Sequence, residues 1–365
     1  MPDWTKPMEQ SYEYYTVEPT TMADVKRLDI VKSASFTYDN ETETLGSASF
    51  DVTNSVGETY IRGYLKTIQN GITEKHPLGT ALVQSPSSSF NGKVMNVSMD
   101  AYTPLIELKE NSPPIGYTIR KGTHIMDAAY FIIRENARAP VSQVAPIIVT
   151  KENGETEDQS PTLQEDFVAN VDDTWLSFII DLIDNANYEL GLDAMGHILF
   201  LPKQDLTSLQ PVWTYNDDDS SILYTDITVN HDLFGIPNIV EVVYSYGGIR
   251  KEAIAINDDP NSPTSTVRRG RKITFRDPNP SLHGYVTDEQ IQAYANRLLE
   301  ALSTVEYTIS YKHAYCPVRV GDCVRINYRK AGLSGIKAKV VSQNISTTLG
   351  CPVSEKAVFT KKLWR

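Results

Sequence analysis

Trp175–Leu201 reads WLSFIIDLIDNANYELGLDAMGHILFL, and two periodicities meet inside it. Trp175, Phe178, Ile179, Leu182, Ile183 and Ala186 fall at i, i+3, i+4, i+7, i+8 and i+11, the apolar stripe of an amphipathic helix. Asp172 and Asp173 stand at its start, where the helix dipole favours anions. The period then changes: Tyr188–Leu192 and His197–Leu201 predict two strands about the turn Asp193-Ala194-Met195-Gly196. A helix running straight into a hairpin predicts a small α+β domain.

Upstream, Gly122-Thr123 places a capping threonine before a helix whose apolar face is Ile125, Ala129, Ile132 and Ile133. Residues 150–162 (TKENGETEDQSPT) are polar, acidic and turn-rich, which predicts an exposed loop within an α+β domain spanning 108–215. Residues 21–107 read differently. Ser47–Val52 and Lys93–Met99 alternate, Glu58–Ile68 is rich in β-formers, and turn signals fall at Asp39-Asn40, Asn70-Gly71 and Asn91-Gly92. Short strands at that spacing predict a first small β-barrel. Residues 1–20, with Tyr12, Tyr14, Tyr15 and three prolines, predict an extended N-terminal arm ordered only by a partner.

Downstream, residues 216–365 predict a second small β-barrel. Ile239–Tyr246 is a strand ending at Gly247-Gly248, and Asn257–Ser265 is a polar loop. Thr287-Asp288-Glu289-Gln290 is a capping box opening a helix over 287–303, with Ile291, Tyr294, Ala295, Leu298, Leu299 and Leu302 on one stripe. Val305, Tyr307, Ile309 and Tyr311 then alternate with polar residues, as a half-buried strand does. Val318–Tyr328, broken at Gly321-Asp322, Lys337–Ile345 and Ala357–Trp364 complete the strands. The expected fold is therefore mainly β with α+β: two small barrels flanking an α+β domain.

Composition narrows the function. The chain has 365 residues and a net charge of −12, but residues 1–215 carry 15 basic against 30 acidic side chains, and residues 265–365 carry 17 against 7. A bipolar subunit suits joining copies of itself or unlike partners through complementary faces. Tyrosine outnumbers phenylalanine, 20 to 10, as suits partly wet contacts. No membrane-length apolar run and no secretory leader are seen, so the protein is expected to mature in a cytoplasm. Cys316, Cys323 and Cys351 lack metal-ligand spacing and read as buried apolar residues.

Reactive groups do not assemble into a motif. No phosphate-cradling glycine loop, H-E-x-x-H or G-x-S-x-G occurs, and Gly332-Leu333-Ser334-Gly335 is one residue short of the last. The six histidines are scattered singly. A nucleophile pair from His313 and Cys316 lacks an evident third group to orient it. Asp217-Asp218-Asp219 lacks the glycine and terminal glutamate of a Ca²⁺ loop and reads as an acidic linker. No cofactor, metal or catalytic centre is expected. The sharpest charge cluster is Arg268, Arg269, Arg271 and Lys272, read either as a grip on a phosphate or an acidic protein surface, or as a solvated loop. Both readings stay open. Sequence-specific nucleic-acid binding is disfavoured in an acidic chain with no aromatic platform beside the cluster.

In their order, these features resemble the baseplate or tail-tip hub proteins of tailed phages and related contractile injection machines. Asn40–Val52 (NETETLGSASFDV) is similar to the paired strands opening the hub's first barrel. Asp100–Leu108 (DAYTPLIEL), then Gly116–Thr123 (GYTIRKGT), resembles the exit into the hub's α/β domain, and Trp175–Leu201 its helix and hairpin. The last helix, its strand and Pro317-x-x-Val320-Gly321-Asp322-x-Val324 resemble the end of the second barrel. The resemblance implies a structural hub: a homotrimer forming a pseudo-six-fold ring that joins the tail tube to a central spike or fibre and surrounding baseplate proteins. It further implies a place on the DNA ejection channel, in a virion tail made in the bacterial cytoplasm. Some relatives carry a peptidase or peptidoglycan-degrading extension; this chain ends at Arg365 straight after its closing strand, so that activity is not implied. Two other classes stay open: a receptor- or glycan-binding tail protein, and a carbohydrate-active or peptidoglycan-degrading tail enzyme.

Overall fold

A computed structural model describes residues 2–90, 92–93, 95–151 and 155–364, with Ser85 described in its backbone alone. Asn91 of the expected Asn91-Gly92 turn, Val94 of the strand after it and residues 152–154 of the acidic loop lie outside the described residues. The chain divides into two compact units, Met1–Asp226 with Tyr311–Lys356, and Ile227–Ser310 with Ala357–Arg365. The block 216–365 thus contributes to both.

The first unit opens with seven strands: β1 (Glu9–Val17), β2 (Asp24–Arg27), β3 (Val31–Asp39), β4 (Gly46–Val52), β5 (Tyr60–Gln69), β6 (Ile72–Phe90) and β7 (Met95–Tyr102). Their ladder order is β3-β4-β7-β6-β5-β1-β2. The segment expected as an arm carries a paired strand: β1 pairs with β5 from Glu9↔Ile68 to Val17↔Tyr60. Its tyrosines, read as interface signals, include Tyr14, buried and hydrogen-bonded to Thr347. Asn70 and Gly71, with φ of 52° and 76°, make the two-residue turn between β5 and β6.

The sheet curls over its own core. Phe36 on β3 meets Phe50 on β4 edge to face at 5.6 Å, and Phe50 meets Tyr14 on the distant β1 at 6.5 Å. Gly63 and Gly79 make room for this: a Cβ at either would come within 2.8 Å of the Phe36 ring.

After β7 come α1 (Ile106–Lys109), β8 (Thr118–Ile119), α2 (Ile125–Asn136), β9 (Ile148–Thr150), β10 (Thr156–Asp158), β11 (Phe167–Val168), α3 (Trp175–Asp184), β12 (Tyr188–Leu192) and β13 (Ile198–Pro202). The helix and hairpin read from 175–201 are α3, β12 and β13. Thr174 caps α3 reciprocally with Ser177, while Asp172 and Asp173 lie just before the cap. At α2 the cap shifts: His124 holds the N-cap position without a side-chain bond, so Thr123 is not the cap. One apolar core takes in Ala129, Ile132 and Ile133 of α2, Leu176, Ile179 and Leu182 of α3, and Ile198 of β13.

Arg62, fully buried, ties this part to β5. It donates to Thr80 Oγ1 (2.8 Å), Asp24 Oδ1 (2.8 Å), Met22 O (2.8 Å) and Met195 O (2.6 Å), the last within the β12–β13 turn. Gly196 of the same turn has φ 86°, and a Cβ there would stand 3.1 Å from Thr80 Cβ.

The remaining strands are β14 (Trp213–Asn216), β15 (Leu223–His231), β16 (Ile239–Tyr246), β17 (Ile249–Ile256), then α4 (Thr266–Arg269), β18 (Thr274–Asp277), α5 (Asp288–Leu302), β19 (Thr304–Ala314), β20 (Cys323–Tyr328), β21 (Leu333–Ser346) and β22 (Pro352–Lys362). In the first unit β20 pairs with β21 and, in parallel, with β14. Ser342–Ser346 of β21 pair with Ser35–Asp39 of β3, so one ladder joins the two β regions. The strand expected over 318–328 begins only at Cys323, because Arg319 to Asp322 form a turn closed by Arg319 N–H donating to Asp322 Oδ2.

Within 216–365 the strands form two sheets rather than one. In the second unit, β17-β16-β18 is a separate sheet covered by α5. The stripe Ile291, Ala295 and Leu299 needs an apolar partner face, and Val240, Val242, Ala253 and Ala255 provide it. The capping box read at Thr287 and Gln290 is present. The fold class is as the sequence predicted: mainly β, with an α+β part.

Candidate functional site

Strand alternation gathers a set of buried polar groups in the first unit. The inward parity of β19 carries Tyr311 and His313, that of β22 carries Glu355, and Tyr215 of β14 and Gln343 of β21 face the same interior. Glu355 is the hub. Its carboxylate accepts from Gln343 Nε2 (2.6 Å) and Tyr311 OH (2.7 Å), and lies 3.2 Å from both Tyr215 OH and His313 Nε2. His313 Nδ1 is 2.7 Å from its neighbour's carbonyl, Ala314 O, and 3.9 Å from Cys316 Sγ.

Electrostatics favours an ion pair. Burial works against an imidazolium, but hydrogen bonding to Cys316 and Glu355, with the Glu355 charge, outweighs it and holds the His313 pKa up at about 10. Burial likewise works against the Glu355 carboxylate, yet its bonds from His313, Tyr311 and Gln343 keep its pKa below the usual value. Tyr215 and Tyr311 are pushed well above the ordinary phenol range, first by burial and then by the Glu355 charge.

The third group that the sequence did not reveal beside His313 and Cys316 is Glu355. Its order, Cys–His–acid, is that of a nucleophile set. His313 and Cys316 are fully buried and Glu355 nearly so, so no substrate atom reaches the sulfur. What the cluster does chemically is hold charge where four strands meet.

The predicted contact residues separate into two roles. Ser265 caps α4 and Gly270, at φ 61°, ends it. Arg269 turns inward, its guanidinium donating to Ile236 O and Leu233 O, each at 2.7 Å. Arg268, Arg271 and Lys272 are exposed, and among the described residues none of the three has an ion pair.

Two acids of the triplet are already engaged: Asp217 pairs with Arg329 at 3.3 Å and Asp218 accepts from Ser220. Among the described residues no group of three or more His, Cys, Asp or Glu side chains is placed to hold a metal. A groove of about 320 Å³ between the 40–45 loop and α3 gathers Glu41, Glu43, Asp184 and Glu189. Each of them is neutralised by a lysine: Lys356, Lys109, Lys203 and Lys339 respectively. Among the described residues no pair of free carboxylates faces that groove, as glycoside cleavage would need. No described helix is long and apolar enough to cross a membrane.

No known protein family matches the sequence, and no individually curated protein does. Solved structures do match. A tail protein from Neisseria meningitidis MC58 superposes with a TM-score of 0.60 at 11% identity, over 97% of this chain and 98% of that one. The 43 kDa tail protein of prophage MuSo2 from Shewanella oneidensis gives 0.56 at 12% identity, over 96% and 98%. A chain of the Francisella PdpA-VgrG complex gives 0.52 at 8% identity, over 98% of this chain and 53% of that one. The chain has the fold of phage tail proteins, as the resemblance read from its sequence implied.

Proposed function

We propose that this protein is a structural component of a phage-like tail: the hub at the tail tip or baseplate. The observation that carries the reading is end-to-end coverage, 97% of this chain against 98% of a tail protein, so the likeness extends to the whole architecture rather than to one common module. In this reading the chain acts as a homotrimer whose residues 21–107 and 216–365 form two barrel-like β regions of a pseudo-six-fold ring. The ring joins the tail tube to a central spike or fibre and to other baseplate proteins, and lines part of the channel that DNA passes without sequence-specific contact. The residues 108–215 lie between those regions in sequence as an α+β domain.

A structural rather than enzymatic role is supported by the burial of the His313–Cys316–Glu355 set and by the lysine pairing of the groove carboxylates. Arg268, Arg271 and Lys272 are proposed to meet an acidic surface of a neighbouring copy, with Arg269 holding their loop in shape. Particles assembled with a gold-labelled copy test the reading. Label at the tail tip, with tails failing to form when the coding sequence is deleted, is expected. Label on the head or shaft, or intact tails without the protein, refutes it.

A further inference from the structure

We infer that two surface patches of this chain are made for each other and bind between copies, a reading that rests on the self-assembling tail subunit proposed above. The first patch is in the second unit. The two Arg269 bonds to Leu233 O and Ile236 O bring the 232–236 loop beside α4, so that the loop carrying Phe234, 92% exposed, adjoins the helix carrying Val267, 59% exposed. The exposed Arg268 is on the same helix, and the exposed Arg271 and Lys272 follow directly after its Gly270 cap.

This surface is rigid by construction. The buried Asn238 donates to Thr264 O and Arg271 O and accepts from Ile273 N–H. The buried Asn257 donates to Ser262 Oγ, and its carbonyl accepts from Thr266 N–H. A loop braced at both ends loses little entropy on docking, which is what a binding surface needs. Exposed apolar groups accompanied by unpaired cations select a protein surface with apolar groups accompanied by anions.

The same chain carries such a surface in its first unit. Ile115, 91% exposed, Val171, 81% exposed, and Val168 lie about the β8–β11 pair, where Ala169 N–H donates to Tyr117 O at 2.9 Å. Asp172, Asp173 and Glu135 accompany them. Asn111 links the end of α2 to the start of α3, its side chain donating to Asn136 Oδ1 at 3.4 Å and its carbonyl accepting from Trp175 N–H at 2.9 Å, and the Glu135 charge raises the Tyr117 pKa after burial does. Among the described residues none of these three acids has an ion pair. Two unlike patches on one chain make a heterologous contact, the kind that closes rings.

The test is self-association measured by sedimentation at low and high salt, with circular dichroism as the control for folding. Arg268→Glu with Arg271→Glu should weaken association about tenfold at low salt and less at high salt, since exposed pairs are worth roughly 0–1 kcal/mol each. Adding Asp172→Arg with Glu135→Arg should restore it. Phe234→Ser should weaken it equally at both salts. Unchanged association in the first variant overturns the patch pairing while leaving the tail-subunit reading standing. A loss that the reversed acids do not restore overturns it as well. A wild-type chain that stays monomeric at every concentration, and is absent from particles, overturns both.

Discussion

Glu355→Gln removes one charge and keeps the shape of the side chain, so it isolates the worth of the buried ion pair. His313, with its pKa at about 10 folded and an ordinary value of 6.5, keeps a proton in the folded protein that the unfolded chain gives up over that interval. The stability it contributes is therefore fully present below 6.5 and is lost as pH rises through 10. At 1.36 kcal/mol per pH unit, this interval corresponds to about 5 kcal/mol. Breaking a buried pair by removing one partner costs about 3–5 kcal/mol, so the two routes agree. The depressed Glu355 pKa acts in the opposite sense: its contribution is present above the ordinary 4.5 and is lost as pH falls through the folded value. Urea unfolding at pH 7 should show Glu355→Gln about 3–5 kcal/mol less stable, with the decline from pH 7 to 10 flattened. His313→Gln added to that variant should cost little more, because the pair is already broken. A loss under about 1 kcal/mol, or an unchanged slope with pH, would refute the ion pair.

Three further perturbations test other parts of the structure. Arg62→Met strands the carbonyls of Met22 and Met195 and unpairs Asp24, for a loss of about 3–5 kcal/mol in chemical unfolding; proteolytic cutting in the 193–196 turn should rise with it. Gly79→Ala places a methyl 2.5 Å from Tyr38 Oη and 2.6 Å from Phe36 Cδ1, and should lower stability by about 1–3 kcal/mol, whereas Gly57→Ala, with nothing within 4 Å, should be near neutral. Thr287→Ala deletes the capping box of α5 and should cost the second unit about 1 kcal/mol, seen as faster amide exchange across Val240 and Val242.

What the sequence disclosed, and what it hid, follow from how far apart the deciding residues lie. The helix and hairpin over 175–201 were legible because i, i+3, i+4 and period-two spacing are local signals, and their ends are set by residues within one turn. The N-terminal strand is not legible, for the converse reason. Glu9–Val17 alternates weakly and is interrupted by aromatic and acidic residues, and its edge is satisfied by β5 some fifty residues later, which no window of the sequence contains. The separate sheet of the second unit was hidden likewise, since nothing in Ile239–Tyr246 says whether its partner is β17 or a strand of the other region. The buried cluster shows the limit most plainly. His313 and Cys316 stand three apart and are legible as a pair, but the residue that decides their chemistry, Glu355, reads in sequence as one more acid ahead of the strand expected over Ala357–Trp364. Its inward place is settled by parity: Val353 and Ala357 flank it two residues either side, both fully buried, so a strand that buries them buries Glu355 between them. An acid forced inward by the pleat must find donors, and Tyr215, Tyr311, His313 and Gln343 are what three other strands offer it. The same geometry that suggests a catalytic set thereby removes it from solvent, and the exposed chemistry of this chain is left to its surface patches.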